Sequence, residues 1–206
     1  MRKICFIVVL ALIFTGCATP RMPQYLSTQF NDQIQRNIVL IGLIDARSDK
    51  SVVFPEINKI INNKYAIRLL KNQGYSAQLQ DIDTQDCGSL SNFESLSDLP
   101  CLQSDIFQNG NLFFLFSIDQ YDSPKGMNGS CFIKITGVLY SVSTHSLLWK
   151  DQVSGNFINR SDTPMEGVFS EFSNSLVNSI SPGLIYKNNL IMGLTNLLES
   201  LPKPQK

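Results

Sequence analysis

Along the 206 residues, apolar and polar positions alternate in blocks whose periods predict a mixed α/β domain. Residues 37–45 (NIVLIGLID) are a continuous apolar run, the pattern of a strand covered on both faces. It is the expected first central strand. A polar loop over residues 46–53 leads through Phe54-Pro55 into a helix over about residues 56–73, on which Ile57, Ile60, Ile61, Leu69 and Leu70 share a side and Gly74 supplies the stop. Residues 75–82 alternate as a second strand, and short joints between strand, helix and strand favour a parallel crossover. Three further strand-like runs follow at residues 111–121, 130–143 and 145–157, joined by turns short enough for an antiparallel meander.

The intervening residues 86–109 carry a weaker pattern, with a short helix expected near residues 92–96. Thr163-Pro164-Met165-Glu166 has the spacing of a capping box with proline at the first helical position. A helix starts there, with Met165, Val168, Phe169, Phe172, Leu176, Val177 and Ile180 on one stripe, and Ser181-Pro182-Gly183 breaks it. The last helix, over about residues 184–201, is broadly apolar; it closes the domain's own core or presents part of its surface to a partner. The fold class expected is α/β, a mixed central sheet of one parallel crossover and an antiparallel meander, flanked by helices.

The first twenty residues follow a different logic. Arg2 and Lys3 precede an uncharged apolar run over residues 4–14, eleven residues against the roughly 20 that a permanent membrane helix needs. Such a segment is expected to be removed as a signal peptide. Phe14-Thr15-Gly16-Cys17 resembles a lipobox, at which cleavage leaves a lipidated cysteine as the new N-terminus. Two or three acyl chains on Cys17 would anchor the protein stably, where a single chain holds only marginally. An ordinary secretory signal or an uncleaved anchor is the alternative. Ala18, in place of Asp, resembles the pattern that enteric sorting sends to the outer membrane, facing the periplasm. The expected division is therefore a signal peptide over 1–16, a lipidated end and tether over 17–36, where Pro20 and Pro23 sit among polar residues, and one domain over 37–202. About 20 tether residues would reach roughly 70 Å.

Composition narrows the function. The chain has 17 basic and 17 acidic residues, and loss of Arg2 and Lys3 leaves a small acidic excess, with no basic field for nucleic acid or anionic headgroups. Of five cysteines, Cys87 and Cys101 flank a loop-like stretch and are the expected disulfide in an oxidising compartment, while Cys131, in an alternating apolar run, is expected to be a buried thiol. All three reduced is the alternative. The one histidine, His145, sits in a turn without a serine elbow or cysteine partner, and Asp81, Asp83 and Asp86 lack the glycine and glutamate of a calcium loop. No phosphate-binding glycine motif follows the first strand. No catalytic, cofactor-binding or metal residue is therefore assigned, no cofactor is expected, and the protein is not expected to be an enzyme. Arg47, Asp49 and Lys50, just past the carboxyl end of the first central strand, are the candidate partner-binding loop, with an ordinary exposed loop as the alternative.

The stretch from Gly137-Val138-Leu139 through Thr144 to Leu148-Trp149-Lys150-Asp151 resembles a hairpin of small envelope lipoproteins of the TolB N-terminal domain, CsgG and LpoB group, over roughly residues 38–180. The usual turn glycine is replaced by His145-Ser146, and the connections are too short for the barrel strands of about 9 to 11 residues that a pore requires. The resemblance implies an accessory or assembly factor that docks an envelope protein through a sheet edge, loops or the last helix, with a homo-oligomer also possible. An auxiliary subunit for envelope lipid or solute transport is the second expectation, and an envelope hydrolase using Asp81, Asp83 or His145 the third.

Overall fold

In the computed structural model, the described residues are 21–33, 37–49, 55–80, 87–99, 112–122, 131–157 and 182–204. Strand β1 (Tyr25–Leu26) and a helical turn α1 (Phe30–Gln33) precede β2 (Asn37–Asp45). Helix α2 runs through Pro55–Ile60, a π-helical stretch Ile61–Ala66 and Ile67–Asn72. Then come β3 (Ser76–Leu79), β4 (Leu112–Asp122), β5 (Phe132–Ser141), β6 (Ser146–Gly155) and helix α3 (Pro182–Leu198). The six strands form one sheet in the order β1-β6-β5-β4-β2-β3. β2 pairs in parallel with β3 and β4, and the remaining pairs are antiparallel. The expected α/β class with a parallel crossover and a meander is the one observed.

The sheet is covered on both faces. On one, α2 and α3 pack over Ile38, Leu40, Leu43, Phe114, Phe116, Ile135 and Trp149. On the other, Leu90, Phe93 and Leu99 lie over Ile41, Ile44, Phe113, Leu115, Val138 and Tyr140. β2 serves both cores, which explains its unbroken apolar sequence. Its parity changes at a bulge between Leu40 and Gly42, where Gly42 takes φ +103° and Leu43 returns to the helix-covered face. Side-chain room matters there too: a Cβ on Gly42 would lie 2.9 Å from Asn62 Nδ2, in the π-helical stretch of α2.

Helix α2 ends as its sequence dictates. Gly74 (φ +97°) follows the cap, its N–H donates to the Lys71 carbonyl at 2.9 Å, and the Tyr75 N–H donates to the Leu70 carbonyl at 3.1 Å, the Schellman pattern. The β5–β6 turn is closed by a His145 N–H to Val142 carbonyl bond of 3.3 Å, and His145 itself takes the glycine-like φ of 49°. That settles the turn in which glycine was expected.

Two expectations need correction, and one choice left open is decided. Residues 92–96 are not a helix; 3₁₀ turns at Leu90–Asn92 and Leu96–Asp98 bracket an extended Phe93, because the Ser89 side chain and the Asp98 carboxylate cap these turns locally. Residues 21–33 are not a free tether: β1 pairs with Lys150 and Trp149 of β6, the Ser27 N–H donates to the Leu148 carbonyl, and Phe30 is buried in the main core. Of the two readings of the last helix, the structure bears out the first: α3 packs its buried apolar side chains into this domain's own core. Leu190, Ile191, Leu194, Leu197 and Leu198 are all buried, and no large apolar residue of the helix is exposed. The capping box at residues 163–166 and its helix lie outside the described residues.

Candidate functional site

The parallel part of the sheet winds both ways from β2: α2 crosses one face to β3, and the chain then returns over the other face, by way of residues 87–99, to β4. The carboxyl ends of β2 and β4 are therefore the place where an open α/β sheet tends to bind. Asp45 ends β2, and Arg47 follows it. The Arg47 guanidinium donates Nε to Asp45 Oδ1 at 2.7 Å and a second N–H to Oδ2 at 2.6 Å, a two-pronged pair. Arg47 is buried, and its guanidinium lies 5.8 Å from the ring centre of Tyr121 on β4. Tyr121 in turn meets Tyr186 of α3 edge to face at 4.9 Å, and the Tyr186 hydroxyl donates to Asn58 Oδ1 at 2.6 Å.

The hydrogen bond to Asp45 raises the Arg47 pKa, against the opposing effect of burial, so this charge is fixed. Burial also pushes the Tyr186 phenol well above its ordinary value. The group ties the end of the sheet to both helices. Arg47 thus turns inward and is engaged by Asp45, which corrects its expected role as a solvent-facing partner contact. Asp49 is exposed in the same loop, and Lys50 lies outside the described residues.

A second constellation lies on the opposite face, built around a bulge in β4. Asp119 has no facing residue on β5, because the register steps from Ile118 to Gln120. Its carboxylate accepts hydroxyls from Ser89 at 2.5 Å, Ser117 at 2.8 Å, Ser91 at 3.1 Å and Thr136 at 2.5 Å. Lys150 Nζ donates to the Ser91 carbonyl at 2.5 Å, and Gln152 Nε2 donates to Thr136 Oγ1 at 2.8 Å. Partial burial lowers the Lys150 pKa, with nearby Glu94, Asp119 and Asp98 acting in the opposite sense. These bonds join the turn at residues 89–93 to β4, β5 and β6. The chemistry is that of a clasp, since the carboxylate and the ammonium group both have partners in the chain itself.

A third carboxylate, Asp151 on β6, is buried on the helix-covered side. It accepts the Ser200 hydroxyl at 2.5 Å and pairs with Arg21 at 2.8 Å. Arg21 also donates to the Asn196 carbonyl at 2.6 Å and the Gln152 carbonyl at 2.7 Å. The N-terminal segment is thereby locked to β6 and α3. Asp151 and Trp149 belong to the recognised hairpin pattern; Gly137 completes it structurally, because a Cβ there would lie 2.8 Å from Leu197 Cδ2 and 3.2 Å from the indole.

Of the other candidates, His145 is exposed in its turn. Cys131 is a buried free thiol whose pKa burial raises. Cys87 is buried among Leu90, Phe93 and Leu99, whereas Cys17, Cys101, Asp81, Asp83 and Asp86 lie outside the described residues. Among the described residues no group of His, Cys, Asp or Glu is arranged to hold a metal, and no helix is long and apolar enough to cross a membrane. Sequence reasoning missed Arg21 and Asp119. A carboxylate at the end of the run NLFFLFSIDQY was a usable signal for Asp119; nothing local marked Arg21.

No protein-family model matches the sequence, and no curated protein matches it. Among solved structures the chain is similar to the PelC dodecamer from Paraburkholderia phytofirmans, at 10% identity over 82% of this chain and 92% of that chain with a TM-score of 0.46. It is similar also to lipoprotein GNA1162 from Neisseria meningitidis, at 13% identity over 57% and 80% of the two chains with a TM-score of 0.39. The LpoB C-terminal domain from Salmonella enterica gives 13% identity over 58% and 82%, with a TM-score of 0.27. Likenesses at this level assign no family.

Proposed function

We propose that this chain is an envelope lipoprotein, anchored by acyl chains on Cys17 to the periplasmic face of the outer membrane, that serves without catalysis as an accessory or assembly factor for an envelope protein. The observation that carries the reading is the order Arg2-Lys3, an uncharged apolar run over residues 4–14 and Thr15-Gly16-Cys17. The position of Arg21 supports it, since this residue, four after Cys17, is bound to the domain. The three polar constellations support a non-catalytic role, since their carboxylates are engaged in holding segments together. A disulfide between Cys87 and Cys101 belongs to the same proposal. Closing a loop of about 15 residues would contribute roughly 3 kcal/mol in the chain-entropy model.

Two measurements test this. The intact mass of the protein purified from membranes should start at Cys17 and include two or three acyl chains; a species beginning at Met1 or lacking acyl mass refutes the anchor. Affinity purification of the full lipidated chain from detergent-solubilised envelopes should return one envelope protein in stoichiometric amount, and its consistent absence refutes the accessory role.

A further inference from the structure

Three observations meet at the sheet edge formed by β1. First, Arg21 is held by three polar contacts to Asn196, Gln152 and Asp151. Second, only four residue steps separate Arg21 from Cys17, a span of at most about 14 Å when fully extended. Third, Met22, Tyr25 and Leu26, at 77%, 45% and 40% exposure, are three of the four exposed large apolar residues in the described chain. The other large apolar residues among those described are covered, Ile60 excepted. A cluster of this kind beside a short lead has a physical use.

We infer that the segment over residues 22–26 lies in the interfacial layer of the same lipid leaflet that holds the Cys17 acyl chains, so that the β1 edge of the sheet faces the membrane. This rests on the lipoprotein reading. Methionine and leucine gain by leaving water, and a tyrosine ring with its hydroxyl at the headgroup level suits the boundary. The short lead favours lipid over other occupants: with Arg21 clamped, the cluster cannot move far from the anchored cysteine. The consequence is a domain set down on the leaflet in one orientation, with the opposite edge of the sheet, β3, directed away.

The test uses full-length acylated protein in vesicles of phosphatidylethanolamine and phosphatidylglycerol at three to one, with a nitroxide on Gln24→Cys or, as a control, on Asn63→Cys in α2. Both positions are exposed, so neither label disturbs the core. Collision with oxygen, which concentrates in lipid, is compared with collision with a water-soluble nickel chelate. A ratio of oxygen to nickel several-fold higher at position 24 than at 63 is expected. Equal ratios in acylated protein overturn this inference and leave the lipoprotein reading intact. Low access to both reagents at position 24 means a protein cover, a second copy or a partner, and overturns it as well. Absence of acyl mass overturns the anchor and this orientation together.

Discussion

Single side chains hold this molecule together at points that few other residue types could fill. Asp151 is 1% exposed, and its carboxylate is met by the Arg21 guanidinium, the Ser200 hydroxyl and the Gln152 backbone N–H. Replacing Arg21 by glutamine strands a buried carboxylate, so Arg21→Gln should lower unfolding free energy by about 1–3 kcal/mol. Adding Asp151→Asn should recover part of that loss, which a denaturant double-mutant cycle measures; strict additivity would show that the pair is not coupled. At Gly137 the constraint is volume. Gly137→Ala pushes a methyl group against Leu197 and Trp149 and should cost about 1–3 kcal/mol. In the Leu197→Ala background the same alanine should cost clearly less, because the obstructing methyl groups are gone.

At the scale of elements, β-bulges decide which side chains reach which face. Bulges at Ile41 in β2, just before Gly42, at Asp119 in β4 and at Leu148 in β6 each reverse the strand parity, and so place Leu43, Tyr121 and Trp149 on the helix-covered side. The strands themselves were legible from their apolar runs; their bulges were not, because an inserted residue has no signature in hydrophobic period beyond a glycine such as Gly42. The π-helical stretch of α2 was hidden for the same reason. The segment over residues 87–99 depends on Asp119. Asp119→Ala removes the acceptor shared by Ser89, Ser91, Ser117 and Thr136, and should speed amide exchange at Leu90 and Phe93 by tenfold or more per about 1.4 kcal/mol lost. Exchange in the β4–β5 ladder should stay slow. If both slow and fast sites change together, the clasp is part of the global unfolding unit instead.

For the molecule as a whole, two buried phenols are expected to set the alkaline limit. Tyr75 donates to the Pro202 carbonyl at 2.7 Å and Tyr186 to Asn58, and burial raises the pKa of both above the ordinary value near 10. A raised folded-state pKa means that the native protein keeps protons which the unfolded chain has released. Their contribution is thus complete below about pH 10 and is lost as pH rises beyond it. Denaturant midpoints followed from pH 8 to 11 should fall above pH 10, and the Tyr75→Phe, Tyr186→Phe double variant should flatten that fall despite its lower starting stability. An unchanged slope would mean that other groups control the alkaline transition.

By itself the sequence determined the local elements: β2 from nine largely apolar residues, α2 from its stripe and Gly74, and the meander from alternation. These depend on neighbours a few residues apart, so period and turn chemistry are enough. Tertiary structure alone decided that residues 21–33 join the domain, that Arg47 points inward and that α3 spends its apolar surface on this core. Each is an interaction over distance: 131 residues separate Arg21 from its Gln152 acceptor. Which distant groups meet depends on how two-sided packing of the sheet closes, and no local pattern encodes that.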